Sequence, residues 1–211
     1  MAELDTDEEK VEAIKRWWKA NGVAVIGGVV IGLGGVIGWR TWVDYRTTLA
    51  ERGSIAYEQL LMTAEAGGAA SAQRQVDAIV EDYGSTPYAM FAALTRAQLA
   101  LAADDAIGAE TALRSAIERA PDPALATLAA LRLARVQLDR GALTAATATI
   151  EQHGGDAAFA ADFAALRGDI AAAEGRVEDA RAAYQRALEG GVANARLIEL
   201  KLQDLPVDTT S

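Results

Sequence analysis

ADFAALRGDIAAAEGRVEDARAAYQRALEGG, residues 161–191, holds two alanine-rich helical segments on either side of a glycine. Alanine is the strongest helix former, and its small side chain lets two helices approach closely. Gly168, Ala180 and Ala187 stand where two such helices would touch, Gly175 falls in the turn, and Tyr184 is the large residue that fills the gap. Thirty-four residues upstream the same pattern returns. Ala134 replaces Gly168, Gly141 replaces Gly175, Ala146 replaces Ala180 and Ile150 replaces Tyr184.

A further copy lies beyond that one. Ala109, Leu113 and Ala116 give the small-large-small pattern, Ala97 takes the close-contact place, and three extra residues are absorbed around Pro121 and Pro123. A fourth, degenerate copy runs from about Ser54 to Pro87. A helical hairpin of this kind has one apolar face too many and must stack on its neighbour. The period and the small-large-small pattern resemble the tetratricopeptide repeat. Val192 to Leu205, with Leu197, Ile198, Leu200, Leu202 and Leu205, is expected to cap the stack. The fold class expected is all-α.

Ahead of the repeats, Lys19 and Arg40 bracket a run without charge, ANGVAVIGGVVIGLGGVIGW, residues 20–39. At helical rise it spans about 30 Å, the hydrocarbon thickness of a bilayer. All four tryptophans flank it, Trp17 and Trp18 on one side, Trp39 and Trp42 on the other. Indole rings favour the headgroup region. A cleaved signal would have a shorter apolar core followed by small residues, whereas Trp39, Arg40, Thr41 and Trp42 follow here. The expected organisation is a tail with an amphipathic lead-in helix at 1–21, a transmembrane anchor at 22–43 and a repeat domain with its capping helix at 44–211. Gly28, Gly32 and Gly35 share one face of the anchor, where a second helix could pack. Glycine is also simply frequent in membrane helices.

Lys15, Arg16 and Lys19 crowd the N-terminal side of the anchor, and Arg40, Arg46 and Arg52 lie more sparsely beyond it. That bias favours an N-terminus in the cytoplasm. Residues 1–9 are acidic and read as disordered. From Asp7 onward, Val11, Ile14, Trp17 and Trp18 fall at helical spacing. This lead-in either lies partly on the membrane surface or is a solvated helix.

The formal net charge of -10 excludes a basic nucleic-acid binder. There is no cysteine and one histidine, His153, so the usual metal clusters and histidine triads are out of reach. Asp104 with Asp105, and Glu178 with Asp179, are adjacent in sequence and point different ways on a helix. No catalytic residue, cofactor or metal is expected. A binding role remains. Stacked hairpins expose the first helix of each pair on a concave side. By the period, that side carries Phe91, Leu94, Gln98 and Leu101, then Leu128, Leu131, Arg135 and Leu138, then Asp162, Ala165 and Asp169. The leucines there either receive an apolar segment of a partner or belong to the core, partly under the C-terminal helix.

EEKVEAIKRWWKANG (8–22), the anchor ending GWRTW (38–42), Ala56 with Tyr57, EDYGSTPYAMFAAL (81–94) and the degenerate repeats resemble the YfgM family, ancillary subunits of the bacterial SecYEG translocon. The resemblance covers nearly the whole length. It implies an inner-membrane protein with its helical domain in the periplasm. The partners it implies are the translocon and a PpiD-like membrane-bound chaperone, with newly exported proteins as clients. It carries over no binding residue. A membrane-anchored scaffold for envelope assembly or cell division, with other partners, has the same layout.

Overall fold

A computed structural model describes residues 2–206, with side chains from residue 9. The described residues are helical throughout their regular structure: α1 (Ala2–Glu65), α2 (Ala69–Asp82), α3 (Pro87–Ala102), α4 (Ala106–Glu118), α5 (Pro123–Asp139), α6 (Leu143–His153), α7 (Ala160–Ala173), α8 (Val177–Glu189) and α9 (Ala195–Asp204). A short 3-10 turn, Ala157–Phe159, precedes α7. The chain divides into two compact units between Leu49 and Ala50.

The first unit is α1 up to Leu49. Helix α1 begins at Ala2, so the acidic start joins the helix, contrary to the disorder its composition implies. Acidic residues are favourable near a helix N-terminus, where the backbone dipole is positive. Further along, the apolar side chains find no cover within the unit: Val23 is 88% and Ile31 77% exposed. A run this long and apolar has the dimensions of a membrane span. Two polar side chains near its ends bond to carbonyls of their own helix. Asn21 donates to the Trp17 carbonyl and Thr41 to that of Ile37, each at 3.0 Å. Trp39 and Trp42 pack 5.2 Å apart, and the Arg46 guanidinium lies 5.1 Å over the Trp42 ring.

The second unit is a row of hairpins. The end of α1 pairs with α2, α3 with α4, α5 with α6, and α7 with α8, and each hairpin packs on the next. Every turn within a hairpin is three residues long, 66–68, 103–105, 140–142 and 174–176. The middle residue of each adopts positive φ: Gly67 at 78°, Asp104 at 57°, Gly141 at 75° and Gly175 at 75°. The last carbonyls of the leading helix are capped the same way each time. Gly175 N–H donates to Ala172 O and Arg176 N–H to Ala171 O, as Gly141 and Ala142 do to Leu138 and Gln137. Helices α3 and α5 open with proline in the first turn, where the missing N–H costs nothing. Asp122 Oδ1 accepts from Leu125 N–H at 2.9 Å, and Asp105 Oδ1 accepts from Gly108 N–H at 2.8 Å to start α4.

The repeat pattern is the packing pattern. Ala180, Tyr184 and Ala187 are buried between α7 and α8, and a Cβ on Gly168 would overlap the Tyr184 ring. One hairpin upstream, Ala134, Ala146 and Ile150 are buried with Phe163 and Leu166. Ala97, Ala109 and Leu113 do the same in the next, and Leu60, Ala72, Val76 and Ile79 in the first. Helix α9 closes the C-terminal end with Val192, Ile198 and Leu205 against α7 and α8. Residues 207–211 at the end of the expected repeat domain lie outside the described residues.

Candidate functional site

The concave side is built from α3, α5, α7 and α9. Leu94, Gln98 and Leu101 of α3 meet Arg132, Arg135, Val136 and Asp139 of α5 around a cavity of about 240 Å³. Leu101 is 46% exposed, Leu94 is half-buried, and Gln98 and Arg135 are exposed. Next to it a smaller cavity runs from Arg135 past Asp162 and Asp169 to Leu197 and Lys201 of the capping helix. Arg135 links the two. Its guanidinium stands 3.6 Å from Asp162 across the α5–α7 step.

Not every residue expected on this side reaches it. Leu131 is buried, with Ala134, Ile150 and Phe163, because its position on α5 turns it toward α6 and α7. Ala165 is buried against α9. Leu128 and Leu138 are half-buried, Leu138 packing at the margin of the Phe163 core. Phe91 stacks in an aromatic group with Tyr57 and Tyr88, at centroid distances of 5.9 and 6.2 Å. Asp169 is engaged: the Tyr184 hydroxyl donates to its Oδ1 at 2.7 Å, and Lys201 Nζ binds the same oxygen at 2.7 Å. Burial, with the Asp169 carboxylate beside it, pushes the Tyr184 hydroxyl above its ordinary range.

The accessible part of the groove is therefore Gln98, Leu101 and Arg135 with the half-buried Leu94, joined by Arg132, Leu197 and the partly buried Lys201. The period pointed to the first four. Arg132 sits one turn before Val136 on α5 and needs the groove's curvature to be placed. Leu197 and Lys201 belong to a cap with no counterpart upstream, so no repeat pattern could locate them.

Gly28, Gly32 and Gly35 lie on α1 in the apolar unit, and a Cβ on any of them would meet nothing within 4 Å. His153 closes α6, and partial burial lowers its pKa. Among the described residues no group of three or more His, Asp or Glu could hold a metal ion.

Stacked helical hairpins that follow, in sequence, an apolar helix of membrane-spanning length define a helical-repeat protein. The model of the tetratricopeptide repeat-like domain matches residues 15–207. Three relatives named "Ancillary SecYEG translocon subunit" align along almost all of the chain. That of Haemophilus influenzae is 31% identical over 97% of this chain and 100% of its own length. That of Aggregatibacter actinomycetemcomitans is 34% identical over the same shares. The Escherichia coli protein is 29% identical over 96% of this chain and 98% of its own. The chain belongs to the tetratricopeptide repeat-like family and, within it, to the YfgM group that these relatives represent.

Proposed function

We propose that this protein is an ancillary, non-enzymatic subunit of a SecYEG-type translocon in a bacterial inner membrane. The single observation that carries this reading is end-to-end similarity to the three translocon-subunit relatives, span and repeats together. Residues 1–21 lie in the cytoplasm, 22–43 cross the membrane, and 44–211 stand in the periplasm. The excess of Lys15, Arg16 and Lys19 on the N-terminal side supports that direction. The hairpin array works as a docking scaffold, bringing a PpiD-like chaperone to newly exported clients.

The groove of Leu94, Gln98, Leu101, Arg132, Arg135 and Leu197 is the surface that takes a partner segment. An apolar residue enters between Leu94 and Leu101, and the arginines orient it. Each large side chain fully buried there contributes about 1.5–3 kcal/mol before the costs of association. Gly28, Gly32 and Gly35 offer the span a close-packed helix partner within the membrane.

The test is purification of tagged protein from its own membranes in mild detergent, with captured partners identified by mass spectrometry. Channel subunits of the SecY type and a PpiD-like chaperone are expected. The Leu101→Glu/Leu197→Glu variant, altered only at half-exposed positions, should keep its fold and lose the periplasmic partner. Recovery of neither partner, from membranes that contain both, would overturn the translocon reading in favour of an envelope-assembly scaffold.

A further inference from the structure

The side of the array opposite the concave groove carries three inter-hairpin grooves built on one frame. Equivalent positions step by 37 residues from α4 to α6 and by 34 from α6 to α8, as the buried series Ala109, Ala146, Ala180 requires. On that register Arg96, Leu133 and Arg167 occupy one place, and Asp77, Arg114 and Glu151 another. Ala100, Gln137 and Ala171 occupy a third.

The first two grooves engage their charged and polar groups in different ways. In the first, Arg96 is ion-paired to Asp77. In the second, Gln137 is fully buried and plugs the space. Its partners select the amide orientation in which the nitrogen donates to Ala145 O at 3.1 Å and Thr149 Oγ1 at 2.8 Å, while the oxygen accepts from Arg114 at 3.2 Å. Leu133 closes the rim apolar and buried.

The third groove keeps the frame and lacks the plug. Ala171 stands where Gln137 stood, and a cavity of about 290 Å³ opens between α6, α7 and α8, with the buried Ile150, Ile170 and Ala171 behind it. Arg167 and Arg186 line it, and neither makes an ion pair among the described residues. The third arginine, Arg176, is already bound to Glu174 and Asp179. Arg186 Nε donates to the Ala182 carbonyl of its own helix at 3.2 Å, which leaves the terminal nitrogens of both guanidiniums for a ligand.

We propose that this third groove is a binding site for an acidic peptide segment, one carboxylate held by Arg167 and Arg186. Arginine forks recognise carboxylates with two parallel hydrogen bonds. Glu151 also lines the cavity and can accept a backbone N–H of the segment. The volume lies at the small end for binding pockets, suited to one or two side chains rather than an acyl chain with its headgroup.

The experiment uses the full chain in nanodiscs of neutral phosphatidylcholine. The probe is a fluorescein-labelled octapeptide alternating leucine and aspartate, followed by anisotropy against its leucine–lysine counterpart. Saturable binding of the acidic peptide alone is expected, at least tenfold weaker in Arg167→Gln/Arg186→Gln, whose changes are on exposed side chains. Ala171→Gln, which restores the upstream plug and keeps both arginines, should weaken binding as much. No binding of the acidic peptide, equal binding by the double arginine variant, or displacement by soluble dihexanoyl phosphatidylglycerol would each overturn the proposal.

Discussion

The ring of Tyr184 fills the space that a Cβ on Gly168 would need, so α7 and α8 touch backbone against aromatic face. Upstream the same contact is made by Ala134 and Ile150, both fully buried. The two pairs are alternative solutions of one packing problem, a smaller residue allowing a larger one opposite.

Gly168→Ala should therefore destabilise the protein, although alanine is the better helix former by about 1 kcal/mol. Overpacking of a tight core costs about 1–3 kcal/mol. Thermal unfolding followed by circular dichroism measures the loss. Gly168→Ala combined with Tyr184→Ile recreates the upstream pair and should recover part of it. A neutral or stabilising single substitution would show that the ring can move aside.

The Tyr184 hydroxyl, raised above its ordinary pKa of 10.0 by burial and by Asp169, makes stability depend on alkaline pH. The folded state holds a proton that the unfolded chain releases near pH 10. Its contribution is thus complete below that pH and is lost progressively as pH rises toward the folded value. Tyr184→Phe should cost about 1 kcal/mol at neutral pH. The variant should also show a shallower fall in Tm between pH 9.5 and 11 than the parent, by comparison of melts across roughly that window.

Glu110 is buried, and its Oε1 accepts from Arg140 Nε at 2.8 Å, tying α4 to the end of α5. Arg114 stands 3.6 Å from its other oxygen. Glu110→Gln keeps the shape and removes the charge, and should lower stability by about 1–2 kcal/mol in urea unfolding, the arginine partners being partly exposed.

Asp104 is the one non-glycine residue with positive φ among the described residues, at the turn position that glycine holds in the other hairpins. Asp104→Gly removes the strain of the left-handed conformation and should raise stability by about 0.5–1 kcal/mol, net of the extra unfolded-chain entropy. Its side chain is exposed, so nothing is lost in packing. An unchanged denaturation midpoint would mean that the turn is relaxed as it stands.

The period was readable where small residues mark helix contacts: Ala97, Ala109, Ala134, Ala146, Gly168 and Ala180 all lie buried at those contacts. It faded in the first hairpin because Leu60 takes the place of the small residue on the leading helix and Ile79 that of Ala116 on the second. The packing is the same, with bulk exchanged between partners, and a pattern of sizes does not survive that exchange. The groove was only half legible for a different reason. Periodicity ranks positions on one helix, but Leu131 and Leu94, both apolar on leading helices, differ in exposure because α6 and α7 cover Leu131 with Ile150 and Phe163, whereas α4 and α5 leave Leu94 half-covered. The third convex groove left no mark in the sequence, since its Ala171 matches Ala100 of the first groove and departs only from Gln137 of the second.

The turns inside the hairpins are uniform at three residues, while the joints between hairpins vary: four residues at 83–86 and 119–122, and a longer passage with a 3-10 turn from 154 to 159. Since the helices alternate in direction, the turns line one edge of the array and the joints the other. The two edges therefore live under different rules of change. One is a fixed hem whose every unit must keep its length. The other is a seam that can be let out by a residue or two, or opened for an extra hairpin, and the rows of helices on either side would keep their spacing.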